Sequence, residues 1–210
     1  MKVLFQGDSI TDAFRDRSDM HDLGKGYAKF ASELIKERHP DTDFEFINLG
    51  ISGERAENLR DRWQTDCIDI QPDVVSILVG INDTWHFSEP DKQWMPNEYF
   101  EECYRYILTE TKKKTNAKII MIEQFLIHTE YTADKDAFHV DLDPKIQITR
   151  KLAREFADVF IPMDGLFAAH AVGVDPEKWA FDGVHPTEAG SRLIAGYYAD
   201  EFDKIFSSIK

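Results

Sequence analysis

Val3-Leu4-Phe5-Gln6-Gly7-Asp8-Ser9-Ile10-Thr11-Asp12 opens the chain with a short apolar run that breaks at a glycine. Val3–Gln6, the first candidate strand, is apolar for most of its length, which is how a strand covered on both faces reads. Gly7 then allows a sharp turn, and Asp8, Ser9 and Thr11 are residue types that cap helix starts. Strand, turn and helix start in ten residues form the first half of a βαβ unit.

Four further runs resemble the first: Phe44–Leu49, Val74–Val79, Lys118–Glu123 and Val159–Pro162. Between them, apolar residues recur at helical spacing. Tyr27, Phe30, Ala31, Leu34 and Ile35 predict a helix that stops at His39-Pro40. Leu59, Trp63 and Cys67 predict a second, and Tyr99, Cys103, Tyr106 and Ile107 a third that ends in Lys112–Lys114, where cations suit the helix dipole. Ile146 to Phe156 and Leu193 to Tyr198 mark the last two. Strands alternating with helices predict a parallel sheet with right-handed crossovers. Two connections, Ile81–Met95 and Leu126–Asp141, are longer than such a scaffold needs, and long loops tend to carry function.

Composition sets outer bounds. A chain of 210 residues, 42% hydrophobic with 15 Phe, 7 Tyr and 4 Trp, reads as one domain spanning residues 1–210. Its 25 Lys and Arg against 39 Asp and Glu give a net charge of −14. Such a field repels phosphate backbones and anionic lipid, so nucleic acid and membranes are not expected partners. Cys67 and Cys103 cannot build a disulfide framework, and neither has metal-ligand spacing, so they read as buried thiols in a reducing compartment. No signal-peptide pattern opens the chain, and a cytoplasmic protein is expected. No metal and no cofactor are expected.

In an open α/β sheet, ligands bind beyond the carboxyl ends of the strands. The polar turns expected there are Gly7-Asp8-Ser9, Gly50-Ile51-Ser52-Gly53 and Gly80-Ile81-Asn82-Asp83, joined near the C-terminus by Asp182-Gly183-Val184-His185-Pro186. Ser9 stands where backbone N–H groups point outward and is the candidate nucleophile. A serine hydroxyl needs a base. Among seven histidines, His185 alone has a carboxylate, Asp182, three residues earlier across a glycine. A short turn can lay that carboxylate on Nδ1 and leave Nε2 free for the Ser9 proton. Pro186 suits the first position of the following helix. Ser9 N–H, Gly53 N–H and the Asn82 side-chain amide are candidate oxyanion donors. The blander roles remain open for each residue alone: Ser9 or Asp182 as a helix cap, Asn82 and Asp83 as turn formers.

Taken together, Gly7-Asp8-Ser9, Gly53, Gly80-x-Asn82-Asp83 and Asp182-x-x-His185 resemble, in order, the four blocks of the SGNH or GDSL hydrolase superfamily. The one departure is Ile10 in place of leucine. The resemblance implies a three-layer αβα fold with a five-stranded, flavodoxin-like parallel sheet. It implies Ser9, His185 and Asp182 as a triad, and Ser9, Gly53 and Asn82 as oxyanion hole. The Gly-x-Ser-x-Gly elbow of α/β-hydrolases is absent. Asn48-Leu49-Gly50-Ile51-Ser52-Gly53 and Gly80-Ile81-Asn82-Asp83-Thr84-Trp85 are similar to the intracellular acetylxylan-esterase-type branch, which implies deacetylation of sugars and a homo-oligomer. Asp8, Trp85 and Phe181 are expected at the substrate pocket. A lysophospholipase or thioesterase on the same scaffold, and a non-catalytic domain binding a small anion at Gly7–Thr11, are the alternatives.

Overall fold

Five parallel strands lie in the order β2-β1-β3-β4-β5, the flavodoxin-like arrangement of a doubly wound sheet. The computed structural model describes residues 1–85, 95–130 and 136–209. The strands are β1 (Lys2–Gly7), β2 (Glu45–Asn48), β3 (Val74–Leu78), β4 (Lys118–Ile122) and β5 (Val159–Ile161), each within two residues of the span its apolar run predicts. The helices among them are α1 (Ser9–Asp12), α2 (Tyr27–Arg38), α3 (Ala56–Trp63), α4 (Ile81–Trp85), α5 (Asn97–Lys114), α6 (Asp136–Phe156), α7 (Met163–His170) and α8 (Glu188–Phe206).

The absence of alternation in the strands has its reason in burial on both faces. Along β1, Val3 and Phe5 join a core with Tyr27, Ile35, Tyr198 and Phe202, while Leu4 joins a separate core with Trp63, Phe100, Tyr104 and Ile107. Successive side chains of a strand point to opposite faces, so one apolar run serves both cores. Helices α2 and α8 pack together over the first core, and α3, α5 and the end of α6 cover the second. Filling each core with fully buried aromatics gains about 1.5–3 kcal/mol per large apolar side chain. Cys67 and Cys103 are free thiols buried in the second core.

Three local expectations need correction. The connection over Leu126–Asp141 is shorter than its sequence suggests, because α6 starts at Asp136 and runs through Pro144. A proline inside a helix leaves the carbonyl four residues earlier without a donor. That residue is Val140, which is 73% exposed, so water can satisfy the carbonyl. The connection over Ile81–Met95 begins with α4, and residues 86–94 lie outside the described residues. Pro186 is not the first residue of α8. It pairs in a β-bridge with Ala180, and Thr187 caps the helix by accepting a hydrogen bond from Gly190 N–H at 3.2 Å. Among the described residues, no helix is long and apolar enough to cross a membrane.

Candidate active site

The strand order reverses between β1 and β3, so the turns leaving their carboxyl ends flank one crevice. Gly7 closes β1 where a Cβ would collide with the Leu78 carbonyl of β3 and the Thr11 side chain. The chain then enters α1, whose N-cap Asp8 accepts a hydrogen bond from Ile10 N–H at 3.0 Å through Oδ1. Ser9 is therefore presented at the first residue of a one-turn helix directly above the sheet edge.

The second turn is bound to the first. Ile51 N–H donates to Gly7 O at 3.0 Å, and Asn48 Nδ2 donates to Thr11 O at 2.7 Å while its Oδ1 accepts from Gly50 N–H at 2.9 Å. Gly53 follows with φ +85°, a left-handed conformation that favours glycine, and a Cβ there would meet open space. Its requirement for glycine is therefore backbone conformation rather than crowding by protein atoms. The third turn reaches the second through Asn82, whose Nδ2 donates to Glu54 O at 3.0 Å. That bond uses one of two amide hydrogens and orients the group.

In the fourth turn, Asp182 Oδ1 accepts from His185 N–H at 2.7 Å and Val184 N–H at 3.0 Å, while Oδ2 lies 2.5 Å from His185 Nδ1. On the other side of the ring, Nε2 lies 2.9 Å from Ser9 Oγ. Partial burial opposes the Asp182 charge, but the His185 ring and the two backbone donors outweigh it and hold the pKa down to about 2. The same side-chain hydrogen bond from Asp182 raises the His185 pKa above its ordinary value. With Nδ1 protonated toward Asp182, Nε2 can accept the Ser9 proton, the arrangement a serine nucleophile requires.

The structure thus brings Ser9, His185 and Asp182 into one chain of hydrogen bonds. The three expected pocket residues are placed differently. Asp8 is no pocket wall: it is 1% exposed, lies beneath Ser9 as a cap, and is pushed up to about 7 by burial. Phe181 is 63% exposed beside Asp182 and does not line the clefts at Ser9. Trp85 ends α4, and its side chain lies outside the described residues.

Two clefts meet at Ser9 and His185. The larger, about 440 Å³, adds Asp12, Arg15, Arg17 and Ser52 to its lining, and the smaller, about 170 Å³, adds Ile10, Ala13, Lys25 and Gly26. Phe14 borders both. It is 90% exposed and, like Ala13, has a positive φ. Residues 12–17 escaped the sequence reading because nothing in non-glycine residues announces a left-handed turn. Among the described residues, no three His, Cys, Asp or Glu side chains are grouped to hold a metal ion.

Residues 5–193 match the model of the GDSL-like lipase/acylhydrolase family. The acetylxylan esterase of Geobacillus stearothermophilus is 30% identical over 95% of this chain and 93% of its own. Its crystal structure superimposes with a TM-score of 0.86. A solved protein of Parabacteroides merdae, described as GDSL-like, covers 100% of this chain with 96% of its own, at 34% identity and a TM-score of 0.88. An acetylxylan esterase of Xylanibacter ruminicola is 25% identical over 93% of this chain and 42% of its own.

Proposed function

The chain belongs to the GDSL-like lipase/acylhydrolase family and is a carboxylic ester hydrolase, and from that premise we propose that it removes acetyl groups from carbohydrate esters by way of Ser9. The observation that carries the mechanism is the line Ser9 Oγ to His185 Nε2 at 2.9 Å, continued from Nδ1 to Asp182 at 2.5 Å. Ser9 attacks the ester carbonyl as His185 takes its proton. Ser9 N–H, Gly53 N–H and the second Asn82 amide hydrogen stabilise the oxyanion. The imidazolium, held by Asp182, then protonates the leaving alcohol. Water enters, loses a proton to His185 and releases acetate from the acyl-enzyme.

Similarity to two acetylxylan esterases supports acetylated xylo-oligosaccharides as substrates. Rates of acetate release from these, set against other acetylated sugars, test that choice. A second comparison of acetyl, butyryl and octanoyl p-nitrophenyl esters should show activity falling with chain length. Activity rising with length would replace this reading by the lysophospholipase or thioesterase one. Reaction of Ser9 with a fluorophosphonate probe separates either enzyme from a simple anion-binding turn.

A further inference from the structure

Arg15 and Arg17 line the larger cleft, and Arg15 lies close enough to Arg17 and to Arg62 to feel the charge of both. Two of them are neutralised. Arg17 pairs with Asp12, and Arg62 pairs with Glu54 at 2.7 Å and with Asp66 at 2.7 Å. Among the described residues, Arg15 has no carboxylate partner. It is 8% exposed, its Nε donates to the Gly50 carbonyl at 3.0 Å, and its Nη1 is buried with no hydrogen-bond acceptor. Asp12, the carboxylate that attracts it most, is already used: Oδ2 accepts from Arg17 and from Ser52 N–H at 2.9 Å.

A buried guanidinium nitrogen without a hydrogen-bond acceptor is costly to keep. Burial lowers the Arg15 pKa, yet arginine starts so high that it stays charged. A hydrogen bond from a guanidinium to a carboxylate is charge-assisted and stronger than one to a neutral acceptor. Arg15 lines the same cleft, about 440 Å³, as Ser9 and His185, and that volume falls within the roughly 300–1,000 Å³ of small-ligand sites. We propose that Arg15 binds a carboxylate on the alcohol half of the substrate, so that the preferred ester is an acetylated sugar acid rather than an acetylated neutral sugar. This inference rests on the esterase reading for its chemistry but has a binding readout independent of turnover. The overall negative charge of the chain makes the point sharper, since a cationic side chain in the cleft is the local feature that would admit an anion.

The test compares an acetylated methyl glucuronoside with the matching acetylated methyl glucoside, which differ only in carboxylate against hydroxymethyl. Wild-type kcat/KM should favour the acid by about tenfold or more, the scale of one charge-assisted pair. Arg15→Gln should lower that acid-to-neutral ratio at least tenfold, and Arg17→Gln, whose charge is already paired, less than threefold. If Arg15→Gln does not fold, calorimetry on the wild type decides. Deacetylated methyl glucuronoside should bind at least tenfold more tightly than methyl glucoside. Equal kcat/KM together with equal binding overturns the assignment while leaving the esterase intact. Failure to hydrolyse either sugar or p-nitrophenyl acetate defeats the esterase reading instead, and preferential binding of the acid would still stand.

Discussion

His185 Nε2 lies 2.9 Å from Ser9 Oγ although 176 positions separate the two residues in the chain. One is carried by the turn after β1 and the other by the turn that enters α8, so the pair exists only when the sheet and its covering helices are assembled. The catalytic roles proposed for them lead to measurable consequences.

Replacing the hydroxyl removes the nucleophile. Ser9→Ala should lower kcat for p-nitrophenyl acetate by at least about 10³-fold, with the fold intact by circular dichroism. Turnover near the wild-type rate would remove Ser9 from the mechanism.

The pH profile should report the state of His185. As the base it must be neutral, and its pKa is raised by the hydrogen bond to Asp182, so activity falls as pH drops through a midpoint above the ordinary histidine value. Asp182→Asn takes away the charge that stabilises imidazolium. The variant should show a lower kcat and a midpoint displaced to lower pH. A midpoint that stays in place would mean Asp182 does not tune this ring.

Asn82→Ala should reduce kcat about 10²- to 10³-fold with KM changed only a few-fold, the pattern of a donor felt in the transition state. The same variant loses the bond to Glu54 O, so stability must be measured beside activity. Gly53→Ala meets no steric obstacle but must hold φ +85°, which costs about 1 kcal/mol or more for a side-chain residue. It should therefore be mildly destabilised as well as slow. Loss of binding with kcat preserved in both variants would place the oxyanion site elsewhere.

Asp83, next to Asn82, offers a stability test at a buried carboxylate. It is buried and pushed up to about 7, while Ala56 N–H donates to Oδ1 at 3.3 Å. Because the folded pKa is raised, its favourable contribution is present in full below about pH 4 and is lost as pH rises through 7. Asp83→Asn keeps an acceptor but cannot ionise. Relative to this variant, the wild type should lose stability between pH 4 and 7, by at most about 4 kcal/mol. Urea unfolding at pH 5 and pH 8 checks it, and equal differences at the two values would rule it out.

Much of this protein could be read from residue order alone. Apolar runs without alternation announce strands buried on both faces, and both cores confirm why Val3, Leu4 and Phe5 are all apolar. The four turns were legible because Gly7, Gly53, Asn82 and the Asp182-x-x-His185 spacing are chemically distinctive at short range. Helix boundaries were less so. Nothing local says that α6 tolerates Pro144, since that depends on Val140 being at the surface. Nor does Pro186 itself reveal that it pairs with Ala180 and leaves the cap to Thr187.

Residue order therefore determined the layered α/β architecture and the chemical types gathered at one sheet edge, because periodicity and turn chemistry act over a few neighbours. Tertiary structure decided the partners. It set Asp8 beneath Ser9 rather than in the pocket, gave Asp12 to Arg17, and left Arg15 Nη1 buried without a hydrogen-bond acceptor among the described residues. Those outcomes turn on distances between segments far apart in the chain, and burial and pairing of charge exist only once the segments meet.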